Sequence, residues 1–252
     1  MAAERFENRD LKGSTFTHVD LSQVRIRDAL LFDVQITGAL VSDLVIDAGL
    51  EGPIVVNGVD VVPFVHAELN ARYPGREAIF AVVHGDADAF RAAWAVDQAV
   101  WEETIARARR LPEELLHERV DGEWSFIETL RHLVMATDSW ILRALLGDPH
   151  PHHPLGLPFT EMGDIPGVPN DPDARPSLDE VLAVREGRTA TMSAVLADLT
   201  DEQLAGHTTP VPEVGYPASE SFPVRRCLGA IVIEEWEHHQ FANRDLAVLE
   251  AR

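Results

Sequence analysis

The residues best suited to chemistry lie near the carboxyl end of the chain, where Glu235 and His239 stand four positions apart. In a helix this spacing places both side chains on one face, within reach of a single ion. Residues 227–249 repeat apolar side chains at alternating steps of four and three, so this face is predicted to be buried. A buried carboxylate without a partner is costly. We therefore predict that a metal ion compensates Glu235.

A third candidate ligand, His132, lies beside the apolar stripe of a helix predicted further upstream. Two imidazoles and one carboxylate that leave coordination positions open suit Zn²⁺, Fe²⁺ or Ni²⁺. The sequence therefore predicts a divalent metal bound by His132, Glu235 and His239.

An alternative register remains one residue earlier, where Glu234 and His238 are also four positions apart. The stripe that would contain this pair is too polar for a core face, so we favour the later pair. If Glu235 and His239 are the ligands, His238 is expected to line the pocket. It would contact the ligands from outside or act as a catalytic proton shuttle.

Further polar residues could assist such a site. Glu128 and Asp138 could orient the imidazole of His132. Three arginines flank the last helix and could hold a carboxylate or a thiol cofactor, although surface arginines are more often only solvated. These are Arg225, Arg226 and Arg244.

A histidine-rich segment, His150, His152 and His153, lies among prolines in a long loop. Proline on each side argues against a fixed metal cage, so a place at the mouth of the pocket is the better interpretation. Cys227 is the only cysteine of the chain, which excludes an internal disulfide framework and a site of several thiolates. We interpret it as a core residue and not as a nucleophile.

Four long helices are predicted to position these residues, at about 86–110, 125–147, 177–199 and 227–249. Two long loops, residues 147–176 and 206–223, interrupt the series. This order is typical of a four-helix bundle with crossover connections.

Two segments on these helices resemble the DinB/YfiT-like superfamily of four-helix bundles. They are WSFIETLRHL at residues 124–133 and EEWEHHQFANRDL at residues 234–246. His132 matches the histidine of the second helix in that superfamily, and His239 matches the last histidine of its His-x-x-x-His pair. Position 235 departs from the pattern, because Glu stands where His is commoner. The resemblance covers residues 86–252.

The resemblance implies a metal-dependent transferase that acts on a small electrophilic molecule with a low-molecular-weight thiol. In this interpretation the metal lowers the pKa of a bound water or thiol. A non-catalytic metal-binding or stress-response module remains an alternative.

The first fifty residues repeat a large apolar side chain at every fifth position. These positions are Phe6, Leu11, Phe16, Leu21, Ile26, Leu31, Ile36, Val41 and Ile46. The repeat resembles the pentapeptide-repeat family, which implies a right-handed quadrilateral β-helix with these side chains pointing inward. Such a short solenoid would need to be capped by the segment that follows it. Partner binding through its face is a further alternative function.

The predicted fold class is therefore α+β. We predict a short quadrilateral β-helix at residues 1–60, a linker with a capping helix at 61–85, and a DinB-like four-helix bundle at 86–252.

The composition limits the partners of the chain. A net charge of −21 argues against binding to nucleic acid or to an anionic membrane surface, because both require basic patches. No apolar run approaches the roughly 20 residues that cross a bilayer, and no signal pattern is present at the beginning of the sequence. We expect a cytoplasmic protein with a small-molecule substrate, and we leave a homodimer open.

Overall fold

The computed structural model describes residues 4–27, 29–46, 49, 52–160 and 162–252. The chain divides into two units, residues 1–49 and residues 50–252. All the candidate site residues lie in the second unit, which begins with a two-stranded hairpin and continues as helices.

The elements of the second unit follow one another with two long interruptions. They are β1 (Val55–Val56), β2 (Val59–Asp60), α1 (Val62–Arg72), α2 (Arg76–Ala81), α3 (Ala87–Ala108), α4 (Glu113–Leu116), α5 (Phe126–Thr137), α6 (Leu178–Asp198), α7 (Asp201–Leu204) and α8 (Val224–Glu250). A π-helical segment, Asp138–Leu145, continues α5 before the first long loop. The second long loop joins α7 to α8.

The helices α3, α5, α6 and α8 form a bundle in which each helix packs against two others. Helix α3 lies between α8 and α6, and α5 also contacts both α8 and α6. This arrangement agrees with the predicted four-helix bundle. No helix among the described residues is both long enough and apolar enough to cross a membrane.

Local sequence signals account for the starts of two neighbouring helices of the bundle. Ser125 and Glu128 form a capping box at the start of α5, and Ser177 and Glu180 form another at the start of α6. Helix α8 begins directly after Pro223, which cannot donate a backbone hydrogen bond.

Two apolar clusters fill the bundle, one above and one below the level of the candidate site. The first includes Phe90, Trp94, Met192, Val232 and Trp236. The second includes Trp101, Phe126, Leu130, Val181 and Leu246.

The prediction of an α+β fold with a quadrilateral β-helix at residues 1–60 is wrong. The described residues between 4 and 46 contain no strand, and the only sheet in the described chain is the hairpin of β1 and β2. Phe6 and Ile36, two of the fifth-position residues, are 58% and 68% exposed instead of packing inward. A β-helix requires strand pairing between coils and a filled interior, and the described part of this segment shows neither.

The five-residue period nevertheless has a structural origin in the backbone. Positive φ angles recur at Asn8, Gly13, His18, Gln23, Asp33, Gly38 and Asp43. Glycine, asparagine and aspartate tolerate this left-handed conformation better than other residues. The repeat therefore specifies a recurrent turn, and the apolar side chains between the turns do not converge on a core.

Candidate metal centre

Three side chains from two helices meet at one side of the bundle: His132 on α5, and Glu234 and His238 on α8. Nε2 of His238 lies 3.0 Å from Oε2 of Glu234, and Nε2 of His132 lies 3.6 Å from the same oxygen. One ligand atom from each residue falls within 4.8 Å of the other two. The helical spacing of four residues on α8 is what places Glu234 and His238 side by side.

His132 is oriented by the first long loop. Its Nδ1 lies 3.1 Å from the carbonyl oxygen of Leu157, and that oxygen can only accept a hydrogen bond. Nδ1 therefore carries a proton and Nε2 is the atom that faces Glu234. The loop is held in place at this point because the Leu157 amide donates to the carbonyl of Arg131.

The carboxylate of Glu234 is the charged centre of the group. Burial disfavours its ionised form, but the neighbouring imidazoles of His132 and His238 outweigh that effect and lower the pKa of Glu234 to about 2. The side chain is still 39% exposed, so the group opens to the solvent on one side.

Trp124 immediately precedes the N-cap of α5. Its ring lies beside the imidazoles of both His132 and His238. Its ring centroid lies 4.6 Å from that of His132 and 5.9 Å from that of His238. The two imidazoles are 4.9 Å apart and nearly perpendicular. Trp124 therefore restricts the rotation of both rings and shields them from water on that side.

The register favoured from the sequence has different partners. Glu235 is buried, and its Oε2 accepts a hydrogen bond of 2.8 Å from Nη2 of Arg185 on α6. The Arg185 guanidinium also lies 5.2 Å from the ring centroid of Trp101. The Trp101 indole donates to the backbone oxygen of Glu235 at 3.2 Å. Arg185 is thus a compensating partner of this carboxylate.

His239 is also engaged within the bundle. Its Nε2 lies 2.9 Å from Oγ1 of Thr104, and its Nδ1 lies 3.2 Å from the side-chain nitrogen of Gln240. Burial is the main reason why the pKa of His239 is lowered to about 4. The structure does not bring Glu235 or His239 to His132, and their role as ligands stays a prediction.

A sequence signal for the Arg185 partner exists on α6. The buried positions of that helix are Leu178, Val181, Arg185, Met192 and Leu196. An arginine in an otherwise apolar stripe predicts a buried acidic partner on a facing helix. That partner could have been sought at Glu235. The contributions of Trp124 and of the Leu157 carbonyl have no comparable signal, because both depend on the path of a loop.

The acids expected to orient His132 have other roles. Glu128 accepts a hydrogen bond of 2.9 Å from Nε of Arg119 and caps α5. Asp138 is fully buried and pairs with Arg188 at 2.8 Å. The orienting group for His132 is therefore the Leu157 carbonyl.

The histidine-rich loop is tied to the bundle. The backbone amide of His153 donates to Asp138 at 2.8 Å, and Nε2 of His152 lies 3.3 Å from Oγ of Ser139. His152 also hydrogen-bonds the backbone of Tyr216, which joins the first long loop to the second. His150 is exposed.

Two buried arginines fix the long loops through backbone carbonyls. Arg131 donates to the carbonyl oxygens of Leu155, Asp171 and Ala174 at 2.9, 2.6 and 3.0 Å. Arg143, on the π-helical segment, donates to Pro149 in the first loop and to Glu213 and Pro217 in the second. The two loops are thus held against α5 and the segment that continues it, next to His132.

The chemistry and spacing of the three residues fit a divalent transition metal. Ligand atoms about 2.0–2.1 Å from a tetrahedral ion are separated from one another by about 3.3 Å. The separations of 3.0 and 3.6 Å in the group lie on either side of that value. A third feature that fits is the Nδ1 hydrogen bond to Leu157, because ligating histidines commonly donate their other nitrogen to a carbonyl.

A four-helix bundle that carries two histidines and a carboxylate on facing helices defines the class of this protein. The family model described as the DinB superfamily matches residues 97–242, which run from the middle of α3 through most of α8. The chain therefore belongs to the DinB superfamily. The match does not extend to the N-terminal segment that resembles pentapeptide repeats. Comparisons with curated proteins and with solved structures found no match.

Proposed function

We propose that this protein binds one divalent transition-metal ion through His132, Glu234 and His238, and that the ion serves a transferase reaction on a small electrophilic molecule. The observation that carries the proposal is the convergence of Nε2 of both histidines on one oxygen of Glu234, at 3.6 and 3.0 Å. This set replaces the register with Glu235 and His239, and His238 becomes a ligand instead of a proton shuttle.

Each residue around the three candidate ligands would have a separate role in such a site. Leu157 fixes the tautomer of His132, and Trp124 covers one side of both imidazoles. The exposed side of Glu234 leaves an approach for small molecules. A divalent ion at this position supplies Lewis-acid chemistry and lowers the pKa of a water or thiol that binds it.

A thiol nucleophile for the transfer would come from outside the chain, whose one cysteine is Cys227. Cys227 is buried in an apolar cluster with Phe222, and burial raises the pKa of its thiol to about 11. A protein thiol of this kind is inert. A low-molecular-weight thiol supplies the sulfur in our proposal. The sulfur forms the new bond to the electrophilic carbon, its proton passes to the solvent, and the leaving group departs with the bonding electrons.

Elemental analysis of the purified protein tests the metal centre. We expect about one divalent ion per chain in the wild type and in His150→Ala, because His150 is exposed and outside the group. His132→Ala should lose the ion, since removal of a ligand lowers affinity and leaves the others incomplete. Equal metal contents in the wild type and in His132→Ala would refute the proposal.

A second measurement tests the reaction with 2-mercaptoethanol and 1-chloro-2,4-dinitrobenzene as thiol and electrophile. Metal-loaded wild-type protein and His150→Ala should accelerate formation of the thioether, and His132→Ala should not. If metal binds and no acceleration occurs with this or other thiol and electrophile pairs, the transferase part is wrong and the metal centre remains.

A further inference from the structure

Three arginines near the two ends of α8 differ in their surroundings. Arg225 donates to the carbonyl oxygens of Val82 and Gly85 at 2.9 and 2.6 Å. Arg244 forms an ion pair of 2.6 Å with Asp245. Within the part of the chain that the structure describes, the guanidinium of Arg226 has neither a hydrogen bond nor an ion pair.

Arg226 is held instead by aromatic rings. Its guanidinium carbon lies 5.3 Å from the ring centroid of Trp140 and 5.4 Å from that of Phe222. Cation–π contacts of this kind use none of the N–H donors of the guanidinium. Arg226 is exposed, so this edge can be reached from the solvent.

Tyr216 contacts the same tryptophan from the second long loop. Its ring centroid lies 6.4 Å from that of Trp140 and 5.8 Å from that of Phe159. The ring is half-buried, and its hydroxyl has no hydrogen-bond partner among the described residues. The hydroxyl is not a buried unpaired atom, so it is open to the solvent and can donate a hydrogen bond to a bound molecule.

The position of Tyr216 is set by the bundle. Arg143 binds the carbonyl oxygens of Glu213 and Pro217 on either side of it, and His152 hydrogen-bonds its backbone. The loop around Tyr216 is therefore held in place without a bound ligand.

The charges of Glu234, in the candidate metal centre, and of Arg226 both act on the phenol of Tyr216. Burial raises the pKa of Tyr216, the negative charge of Glu234 raises it further, and the positive charge of Arg226 opposes both. The phenol consequently keeps its proton at neutral pH and can donate it in a hydrogen bond. Arg226 and Glu234 are eight residues apart on α8, which corresponds to about 12 Å along the helix axis.

Resting on the metal centre proposed above, we propose that Tyr216 and Arg226 form an anion-recognition subsite. It binds a carboxylate, or an anionic group of similar size, on a small molecule whose other end reaches His132, Glu234 and His238. The rings of Trp140 and Phe159 then lie beside the apolar portion that connects the two ends.

The net charge of the chain makes local donors necessary for such a ligand. The net charge of the chain is −21, so an anion is repelled by the protein as a whole and requires local donors to be retained. A guanidinium and a neutral phenol supply such donors, and hydrogen bonds to a charged group are the stronger ones.

Matched pairs of thiols on the Co²⁺-loaded protein test the subsite. The probes are 6-mercaptohexanoate and 6-mercapto-1-hexanol, which share a thiol for the metal and differ in the charge of the other end. Binding is followed by the sulfur-to-cobalt absorption in the near ultraviolet. The wild type should bind the carboxylate at least about tenfold more tightly than the alcohol, as expected for a charged hydrogen-bonded contact.

The variants Arg226→Gln and Tyr216→Phe should each lower this preference several-fold and leave the affinity for the alcohol unchanged. Arg110→Gln, which alters the charge equally at an exposed position at the end of α3, serves as the control and should keep the preference. Tyr216→Phe retains the ring contacts, so a loss of preference reports the hydroxyl. High salt should reduce the preference as well.

The outcomes separate this inference from the proposed function. Absence of bound Co²⁺ in the wild type overturns the metal centre and with it the subsite. Bound Co²⁺ with equal affinities for the two probes overturns the subsite alone. The same holds if Arg226→Gln and Tyr216→Phe retain the full preference for the carboxylate.

Discussion

Two Glu–His pairs lie one residue apart on α8, and their surroundings differ in charge and in exposure. Glu235 and His239 point into the bundle, where Arg185 and Thr104 bind them. Glu234 and His238 point to the side that faces α5, and their carboxylate remains 39% exposed. A rotation of about 100° about one helix axis thus separates a closed polar cluster from an open one.

The difference shows that the identity of the partner decides what a buried carboxylate can do. Arg185 carries a permanent charge and neutralises Glu235 within the protein. Imidazoles such as those of His132 and His238 can present a lone pair to a metal. The same pair of residue types is therefore engaged by Arg185 and Thr104 in one register and lies beside a second imidazole in the next.

The largest expected effect is the loss of stability that follows when Arg185, the charged partner of Glu235, is replaced. Arg185→Met leaves the Glu235 carboxylate buried without compensation, which should lower the free energy of unfolding by about 3–5 kcal/mol. Urea denaturation measures this change. Arg72→Met, which breaks an exposed pair with Glu68, should have little effect.

The double variant Arg185→Met/Glu235→Leu sharpens this test. It replaces both charges with apolar groups and should recover most of the lost stability. If the single variant is as stable as the wild type, the ion pair does not compensate Glu235, and the contrast between the two registers disappears.

The second prediction compares the two histidines directly. His238→Gln should lower the affinity for Zn²⁺ by at least about 100-fold, because a ligand is removed. His239→Gln is the matched substitution one residue later and should change the affinity little. Competition with a chromophoric chelator measures both constants. The reverse result would restore the register of Glu235 and His239 that the sequence analysis favoured.

The third prediction concerns Asp97, a fully buried residue on α3. Both of its carboxylate oxygens lack a hydrogen-bond partner among the described residues. Burial and, to a smaller extent, the charge of Glu235 raise the pKa of Asp97 to about 9 against the opposing effect of Arg185. The folded protein therefore keeps a proton that the unfolded chain releases above about pH 4.

The sign of the resulting pH dependence follows from this difference. Stability is greatest below the pKa of the unfolded carboxyl and is lost as the pH rises toward 9. Asp97→Asn cannot ionise and should raise the free energy of unfolding at pH 8 by about 1–3 kcal/mol. It should also flatten the pH dependence between pH 5 and 9. Asp88→Asn, at an exposed position of the same helix, serves as the control. Equal slopes in the wild type and in Asp97→Asn would contradict the prediction.

The sequence is informative about the helices because their signals are local. The capping residues Ser125 and Ser177 mark two helix starts correctly, and the histidine of α5 proves to be part of the polar group. The sequence of α8 alone could not decide which of Glu234 and Glu235 to assign to the metal. The decision depends on which of the two faces Arg185 on α6. Apolar periodicity alone assigned the more buried pair to the metal.

The N-terminal segment shows a different limit of sequence analysis. A five-residue period is present in the sequence and recurs as positive φ angles, for example at Asn8 and Gly13. The period predicts a repeated local conformation, but it does not determine whether successive units stack. Stacking depends on pairing between distant residues, and Phe16 remains 58% exposed.

The anchoring of the loops by Arg131 and Arg143 has a consequence for the evolution of this protein. Both arginines bind carbonyl oxygens of the backbone, which every amino acid possesses. The loop side chains can therefore be exchanged by mutation while the loops keep their path beside the candidate metal centre. Selection for a new substrate can act on these side chains without first re-establishing the scaffold.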